Sequence, residues 1–245
     1  MKKDSLAVLV EAVKRFGPRN YSLLSRVTGI PTETVRYKID HQLVRTGVRV
    51  HVSVDYHKLA MVRTWGTFYF EEDNDIISKG VLEALAKIGY LTYHGQVLPH
   101  GKFVVAHCIP ARFYDDYRKF LEGLVDVGIL KSFAMNRLDF LRHLSMKPEF
   151  FDFKRRKWKI PWDRLDPGEA RVPHIISEPR TEPLADKVDL FILKELQLDC
   201  TRSLAAIARK LGMNYKTLRY HYLEHVAQRN LIDKYVVRWQ GTVTK

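Results

Sequence analysis

Two stretches near opposite ends of the chain carry the same pattern of basic, aromatic and apolar residues. They read GIPTETVRYKIDHQL at 29–43 and GMNYKTLRYHYLEHV at 212–226. Aligned from Gly29 and Gly212 without gaps, they share a glycine, a threonine and an Arg-Tyr pair, and we call this register the repeat alignment. An arginine guanidinium presents five N–H donors in a planar fork, which matches both phosphate oxygens and the edge of guanine. We therefore expect both stretches to contact a nucleic acid.

The distribution of charge supports this expectation. Of the net charge of +13, residues 1–60 carry +6 and residues 186–245 carry +5, whereas residues 61–145 are neutral and residues 146–185 carry +2. The basic excess thus coincides with the two repeated stretches, as contact with a polyanion would require. No signal peptide or membrane-spanning run is found, and the two cysteines are isolated, so we expect a cytoplasmic protein.

The sequence gives only weak indications of metal binding or catalysis. His94, His100, His107 and Cys108 could ligate a metal, but their spacing fits no zinc ligand pattern, and strand alternation puts His107 and Cys108 on opposite faces. The chain has no phosphate-binding GxxxxGK[ST] loop, no GxSxG and no HExxH motif. We expect no metal, no cofactor and no enzymatic activity.

Each repeated stretch belongs to a three-helix pattern followed by an alternating strand. In residues 186–245, here the C-terminal repeat, the apolar residues predict helices at about 186–199, 203–211 and 215–229 and a strand at 231–239. In residues 1–60, the N-terminal repeat, Gly29 ends the second helix, Thr32 caps the third, and VRVHVSVD forms the strand. This order predicts two winged helix-turn-helix domains, in which the third helix enters the major groove of DNA.

The middle region, residues 61–145, predicts the order βαββαβ. Strands read VRTWGTFYFEE, YLTYHGQVL, KFVVAHCI and ILKSFAMNRL, with helices after the first and third strands. This order is that of the ferredoxin-like arrangement, so the predicted fold class is α+β, with two winged helices flanking a ferredoxin-like domain. One face of the sheet is left uncovered and carries aromatic residues, which a second copy of the chain would cover.

Residues 1–145 resemble the Lrp/AsnC (feast/famine) transcription regulators. The resemblance rests on GVRVHVSVDYHKLA, which is similar to the hinge of that family, and on the βαββαβ order that follows. It implies a DNA-binding regulator of a kind common in archaea, which dimerises or assembles further through the ferredoxin-like domain. It also implies a small-molecule effector near the loop between the second and third strands, here Pro99, His100, Gly101 and Lys102. The C-terminal repeat lies outside the usual plan of the family.

Residues 146–185 form a proline-rich connector that contains KRRK at 154–157. We interpret it as a linker held on the middle domain by its aromatic residues, with a basic arm along DNA phosphates as the alternative.

Two other functions stay open. Sirohaem decarboxylases resemble the same family, although a dense set of arginines and histidines for a tetrapyrrole is not apparent. One repeat could also dock a protein, as an adaptor of the transcription machinery.

The candidate site residues divide by role. Phosphate contacts are expected from Arg26, Arg45, Arg49, Arg202, Arg209, Lys210 and Arg238. Base contacts are expected from Thr32, Glu33, Arg36 and Tyr37 in one repeat and from Asn214, Lys216, Arg219 and Tyr220 in the other. Glu33 is a poor groove residue because phosphate repels a carboxylate, so the N-terminal repeat is the weaker reader of sequence.

Overall fold

The structure is a computed structural model that describes residues 4–70, 75–88, 90–98, 101–138, 147–164 and 180–239. These residues fall into two compact units. The first takes its residues from Met1–Asp55, His143–Arg171 and Ala185–Lys245, and the second from Tyr56–Arg142 and Val172–Leu184. None of the described helices is long and apolar enough to cross a bilayer.

The α-helices and strands of both units have the following bounds. The helices are α1 (Ser5–Phe16), α2 (Tyr21–Thr28), α3 (Thr32–Tyr37), α4 (Asp75–Ile88), α5 (Tyr114–Asp126), α6 (Lys187–Leu198), α7 (Leu204–Leu211) and α8 (Tyr215–Tyr220). The strands are β1 (Val48–Val54), β2 (Met61–Tyr69), β3 (Leu91–Val97), β4 (Lys102–Pro110), β5 (Ser132–Arg137), β6 (Phe151–Asp152), β7 (Lys157–Trp158) and β8 (Ile232–Trp239). A π-helical turn continues α3 over Lys38–Leu43 and α8 over His221–Ala227.

The two repeats form most of the first unit, and polar side chains begin their helices. Asp4 accepts a hydrogen bond from the Leu6 amide at the start of α1, and Asn20 and Ser203 cap α2 and α7 in the same way. Asp186 begins α6 with a reciprocal capping box. Apolar side chains of the helices and of β1 form the core of this unit. Local sequence therefore defines the helices, and burial of their apolar faces holds them together.

The strands β1 and β8 pair with each other and join the two repeats. They are antiparallel, with Val52 opposite Tyr235, and we call them the wing ribbon. Continued to the strands, the repeat alignment places Val52 on Tyr235, so this pair consists of two equivalent residues. The repeats are thus related by a pseudo-twofold axis through this pair, as subunits of a symmetric dimer would be.

Contacts close to this axis are also made between equivalent positions. Arg19 corresponds to Arg202 in the repeat alignment, and its Nη2 donates a hydrogen bond to the backbone oxygen of Arg202 at 2.7 Å. Its guanidinium also lies over the ring of Tyr222. The repeats, which the sequence predicted as separate domains 1–60 and 186–245, therefore lie in one compact unit, because each contributes a single strand that needs a partner.

The second unit is a four-stranded antiparallel sheet with the order β3-β4-β2-β5. Counted along this unit, the order is 2-3-1-4, which is that of ferredoxin-like βαββαβ domains and confirms the α+β class. The helices α4 and α5 contribute to one core with the sheet. The spacing of Ile77, Val81, Leu85 and Ile88 predicts that these residues form the buried face of α4. In the structure Leu85 is buried together with Leu82, whereas Ile77 and Ile88 are exposed.

Candidate nucleic-acid interface

In both repeats a glycine in the left-handed region separates the second helix from the third. Gly29 has φ 71° and ψ 10°, and Gly212 has φ 65° and ψ 26°. A residue with a Cβ is strained in this conformation, whereas glycine adopts it readily. The two glycines therefore set the same turn between helices in both repeats.

The third helices begin differently. Asn214 caps α8, since its side chain accepts a hydrogen bond from the Lys216 amide at 2.8 Å. The expected cap of α3, Thr32, lies one position too late: Pro31 occupies the cap position, and no side chain caps this helix. The C-terminal repeat thus fixes the start of its third helix more firmly.

Each third helix buries one face and exposes the other, as its periodicity predicts. Val35, Ile39 and Leu43 are buried in the N-terminal repeat, and Leu218 and Val226 in the C-terminal repeat. The candidate base-contacting residues are all exposed, namely Thr32, Glu33, Arg36, Tyr37, Asn214, Lys216, Arg219 and Tyr220. The structure therefore places these side chains where they can meet a ligand surface.

The exposed arginine of α3 has a weak partner. Arg36 Nε lies 3.9 Å from Asp40 Oδ2, one turn further along, and 61% of the Arg36 side chain is exposed. An exposed i,i+4 pair contributes only a few tenths of a kcal/mol, so Arg36 remains available to a stronger anion. Asp40 also accepts a hydrogen bond from Tyr21 Oη, and burial together with this carboxylate raises the pKa of Tyr21.

Two of the residues expected to contact phosphate, Arg202 and Lys210, pair with a carboxylate of their own repeat. Glu195 of α6 is fully buried, Lys210 Nζ lies 2.6 Å from its Oε1, and Arg202 Nη1 pairs with its Oε2. Because a buried carboxylate is stable only when it is paired, the pairing of these two cations with Glu195 stabilises the repeat. The hydrogen bond from Lys210 holds the pKa of Glu195 below its ordinary value.

The remaining expected phosphate contacts lie at the surface. Arg26, Arg45, Arg209 and Arg238 are exposed, whereas Arg49 is half-buried. In the wing ribbon Arg49 lies directly opposite Arg238. Two like charges in this position destabilise a strand pair, and a bound anion would relieve the repulsion.

The basic part of the connector forms a hairpin in the first unit. The strands β6 and β7 pair Phe151 with Trp158, and both rings pack on Trp239 at the end of β8. We call residues 151–158 the basic hairpin, because its turn and the start of β7 expose Lys154, Arg155, Arg156 and Lys157. The expectation that aromatic residues hold the connector on the middle domain is therefore wrong for this segment, which packs on the wing ribbon.

Asp152 stabilises the turn of the basic hairpin. One of its oxygens accepts hydrogen bonds from the backbone amides of Lys154 and Arg155, and the other lies 2.9 Å from Lys159 Nζ. These bonds hold the pKa of Asp152 at about 2. The hairpin thus presents four cations from an ordered turn.

The expected effector loop is described only in part. Pro99 and His100 lie outside the described residues, and Gly101 has φ 81°. The Lys102 ammonium lies 5.3 Å from the ring centroid of Tyr69, on the neighbouring strand. A hydrogen bond from Lys102 lowers the pKa of Tyr69.

Of the four residues whose types could ligate a metal, His100 lies outside the described residues, and His94, His107 and Cys108 do not form a group of ligand atoms. His107 is buried and its Nδ1 lies 3.0 Å from Thr64 Oγ1, whereas Cys108 is a free buried thiol. Instead, Asp186, Asp189, His221 and His225 of the C-terminal repeat place four ligand atoms within 4.8 Å of one another. This cluster was not predicted from the sequence, although two histidines four residues apart in a predicted helix were its visible signal.

Comparison with known proteins finds similarity to the fold of this chain and not to its sequence. No protein-family model matches the chain, and no curated protein is significantly similar to it. The structure of the sirohaem decarboxylase NirDL matches 96% of this chain with a TM-score of 0.60 and 11% identity, and its complex with an iron-uroporphyrin III analogue matches the same share with 0.59 and 10%. This chain spans 65–66% of the length of those chains.

Lrp/AsnC regulators match a shorter part. AsnC of E. coli aligns with 60% of this chain and 99% of its own, with 11% identity and a TM-score of 0.41. LrpC of B. subtilis aligns with 60% of this chain and 100% of its own, with 14% identity and a TM-score of 0.40. Over nearly its whole length, then, the chain has an α+β fold like that of the NirDL structures.

Proposed function

We propose that this protein is a DNA-binding transcription regulator whose first unit presents two recognition helices, α3 and α8, from a single chain. The observation that supports this proposal most is the exposure of Arg36 and Arg219 at equivalent positions of two repeats joined about a pseudo-twofold axis. Helix-turn-helix proteins commonly reach this arrangement by dimerisation, and their operators are pseudo-palindromic for that reason. Here the wing ribbon provides the equivalent of a dimer within one chain.

The two recognition helices would read different half-sites. Glu33 of α3 corresponds to Lys216 of α8 in the repeat alignment, so one helix carries an anion where the other carries a cation. Arg219 can hydrogen-bond the edge of a guanine, which discriminates against other bases by about 1–3 kcal/mol. We therefore propose that the C-terminal repeat supplies most of the sequence specificity.

Phosphate contacts would come from the exposed basic residues around these helices. Arg26, Arg45, Arg209 and Arg238 fit this role, and the opposed pair of Arg49 and Arg238 would gain from an anion between them. The basic hairpin adds four exposed cations in the same unit. Arg202 and Lys210 would instead act indirectly, because they neutralise Glu195 and keep the repeat folded.

The second unit would serve assembly. Alternation along β2 puts Trp65 on the face of the sheet opposite the core, where its ring stacks on Tyr93 at 6.0 Å. Both rings are about half exposed, and a second copy of the chain that covered them would bury apolar surface. Sedimentation of the whole chain tests this: a dimer that Trp65→Ser converts to monomer supports the proposal, and a wild-type monomer contradicts it.

DNA binding is tested with matched arginine variants. Fluorescence anisotropy would measure the affinity of Arg36→Ala, Arg219→Ala and Arg118→Ala for random duplexes and for duplexes selected by the protein. Arg118 is the control, because it is 62% exposed and pairs with Glu122 four residues on, much as Arg36 pairs with Asp40. We expect Arg219→Ala to weaken binding of selected DNA about 5- to 150-fold and Arg118→Ala to change nothing.

The salt dependence separates the roles of the residues. Each lost phosphate contact reduces the slope of log K against log salt by about 0.9, so Arg209→Ala should reduce the slope without changing the preference for selected DNA. Equal effects of Arg219→Ala on both duplexes would make Arg219 a phosphate contact. If neither recognition-helix variant differed from Arg118→Ala, the repeats would be docking sites for a protein, as the adaptor hypothesis holds.

The fold gives a second candidate, a tetrapyrrole-binding enzyme, because NirDL shares it over 96% of this chain and was crystallised with an iron-uroporphyrin III analogue. Against this candidate, residues 61–145 have no net charge to attract a ligand rich in carboxylates. A titration with iron uroporphyrin followed by visible absorbance distinguishes the two. Saturable 1:1 binding without binding of DNA would overturn the regulator proposal.

A further inference from the structure

Four side chains of the C-terminal repeat converge between the start of α6 and the π-helical continuation of α8. Asp189 Oδ1 lies 2.9 Å from His221 Nδ1 and 3.2 Å from His225 Nδ1. Asp186 Oδ2 completes the group at 3.4 Å from His221 Nδ1 and 3.8 Å from His225 Nδ1. We propose that these four residues bind one divalent transition-metal ion, with Zn²⁺ as the best fit.

The separations between the ligand atoms match a tetrahedral ion. Zinc binds imidazole nitrogen and carboxylate oxygen at about 2.0–2.2 Å, so ligand atoms at the corners of a tetrahedron lie roughly 3.3–3.6 Å apart. With Oδ1 as the ligand atom of Asp189, the four nitrogen-to-oxygen distances range from 2.9 to 3.8 Å, and all four ligand atoms lie within 4.8 Å of one another. An ion at the centre would require the more widely spaced ligand atoms to move towards it.

Backbone hydrogen bonds already orient the two carboxylates. Asp186 Oδ1 accepts from the amides of Val188 and Asp189 at 2.8 and 2.9 Å, which leaves its Oδ2 directed at the histidines. The Asp186 amide in turn donates to Asp189 Oδ2 at 3.0 Å. Such contacts around metal ligands fix their orientation before the ion arrives. The capping box of α6 therefore also prepares the proposed site.

The charge of Asp189 gives an independent reason for a cation. Its side chain is fully buried, and in the described part of the chain it has histidines and no lysine or arginine as ion-pair partners. Glu195, on the same helix and equally buried, is neutralised by Arg202 and Lys210. A bound metal would do for Asp189 what these two side chains do for Glu195, because a buried carboxylate needs a partner of opposite charge.

The N-terminal repeat shows that the fold does not require the cluster. In the repeat alignment, Leu6 replaces Asp189, Lys38 replaces His221 and Gln42 replaces His225. Leu6 is an ordinary buried core residue, and Lys38 Nζ lies 3.1 Å from Gln42 Oε1. The same helices thus pack with a leucine and a lysine in one repeat and with a set of metal ligands in the other.

The ligand set selects the class of ion. Two imidazole nitrogens with two carboxylates suit Zn²⁺ and its first-row neighbours, whereas Ca²⁺ and Mg²⁺ prefer six or more oxygen ligands. The ion would tie the start of α6 to the helix that carries Lys216 and Arg219. The inference concerns metal binding alone and holds whatever this repeat recognises.

The test uses the whole chain, freed of metal by a chelator and carrying no histidine tag. Titration calorimetry with Zn²⁺ should give one site per chain, and Co²⁺ should give the visible absorption of a tetrahedral complex. The key variant is His221→Lys with His225→Gln, which places the residues of the N-terminal repeat at these two positions and a cation beside Asp189, and therefore should fold. His41→Gln, which removes an exposed histidine from the N-terminal repeat, is the matched control.

We expect the double variant to lose at least about 100-fold in Zn²⁺ affinity and the control to bind like the wild type. Zn²⁺ should raise the unfolding temperature of the wild type and not that of the double variant. A wild-type protein that binds no Zn²⁺ at micromolar concentration, or a double variant that binds as tightly as the wild type, would overturn the proposal. The Co²⁺ spectrum of the wild type decides the question even if the variant unfolds.

Discussion

Replacing Gly17 by alanine tests how the two repeats pack against each other. Gly17 follows α1 with φ 76° and ψ 168°, a region of backbone conformation that is essentially restricted to glycine. A Cβ at this position would lie 2.8 Å from both Cε atoms of the Tyr235 ring, in the wing ribbon strand of the other repeat. The substitution therefore imposes backbone strain and a steric conflict between the repeats.

The two costs can be separated. Backbone strain in this region costs about 2 kcal/mol, and forcing a methyl group against a packed ring costs a further ~1–3 kcal/mol. We expect Gly17→Ala to lower the free energy of unfolding of the first unit by their sum. Gly29→Ala is the control, since its φ is 71° and nothing lies within 4 Å of the added Cβ; it should cost about 1 kcal/mol.

The measurement is urea unfolding of the whole chain, combined with hydrogen exchange of the amides in β1 and β8. A double-mutant cycle with Tyr235→Ala isolates the conflict, because removing the ring should reduce the effect of Gly17→Ala to the backbone term alone. If Gly17→Ala costs the same with and without the Tyr235 ring, the close approach of Gly17 to that ring is incorrect.

Three further predictions concern stability. Burial lowers the pKa of His107 to about 4, so this histidine binds a proton more readily in the unfolded chain than in the folded one. The free energy of unfolding should therefore fall by about 3 kcal/mol as the pH is lowered from 6.5 to 4. In His107→Gln, urea unfolding should lose this part of the pH dependence. Asn214→Ala should destabilise the C-terminal repeat by about 1 kcal/mol, whereas Thr32→Ala should have no measurable effect on thermal unfolding. Replacing Arg202 by methionine should cost about 3 kcal/mol, because a buried carboxylate loses a partner, and Glu195→Leu should cost much less in the same unfolding assay.

Local patterns were sufficient to predict most helices and strands. Leu204, Ile207, Ala208 and Leu211 recur at helical spacing, and the structure has α7 over those residues with Ser203 as its cap. The βαββαβ order of the middle region is also observed. In these cases a single apolar face determines where the element packs, so the sequence pattern is sufficient to predict the helix or strand. The face of α4 was misjudged because apolar residues occur on two of its sides.

The pairing of β1 with β8 could not be predicted in this way. The partners lie near opposite ends of the chain, and alternation indicates a strand without indicating what pairs with it. One signal was available: each repeat contains a single alternating run, so each strand has an edge that needs a partner. The repeat alignment, which places Val52 on Tyr235, would then have suggested that the two strands pair with each other.

The candidate site was predicted in outline and not in detail. Helical periodicity correctly predicted that Arg36 and Arg219 are exposed, because the residues on the opposite face of each helix are apolar. It could not show that Arg202 and Lys210 are held by Glu195, since an ion pair between separate helices leaves no periodic signal. The same reason explains why the proposed metal ligands, which come from two helices, were missed.

The most direct test of the central claim is a hydroxyl-radical footprint of the whole chain on a DNA duplex selected from a random pool. If one unit presents two recognition helices, the footprint should contain two protected segments, of which Arg36→Ala weakens one and Arg219→Ala the other. A single protected segment that only one of these variants affects would contradict the account, because one repeat would then not contact DNA.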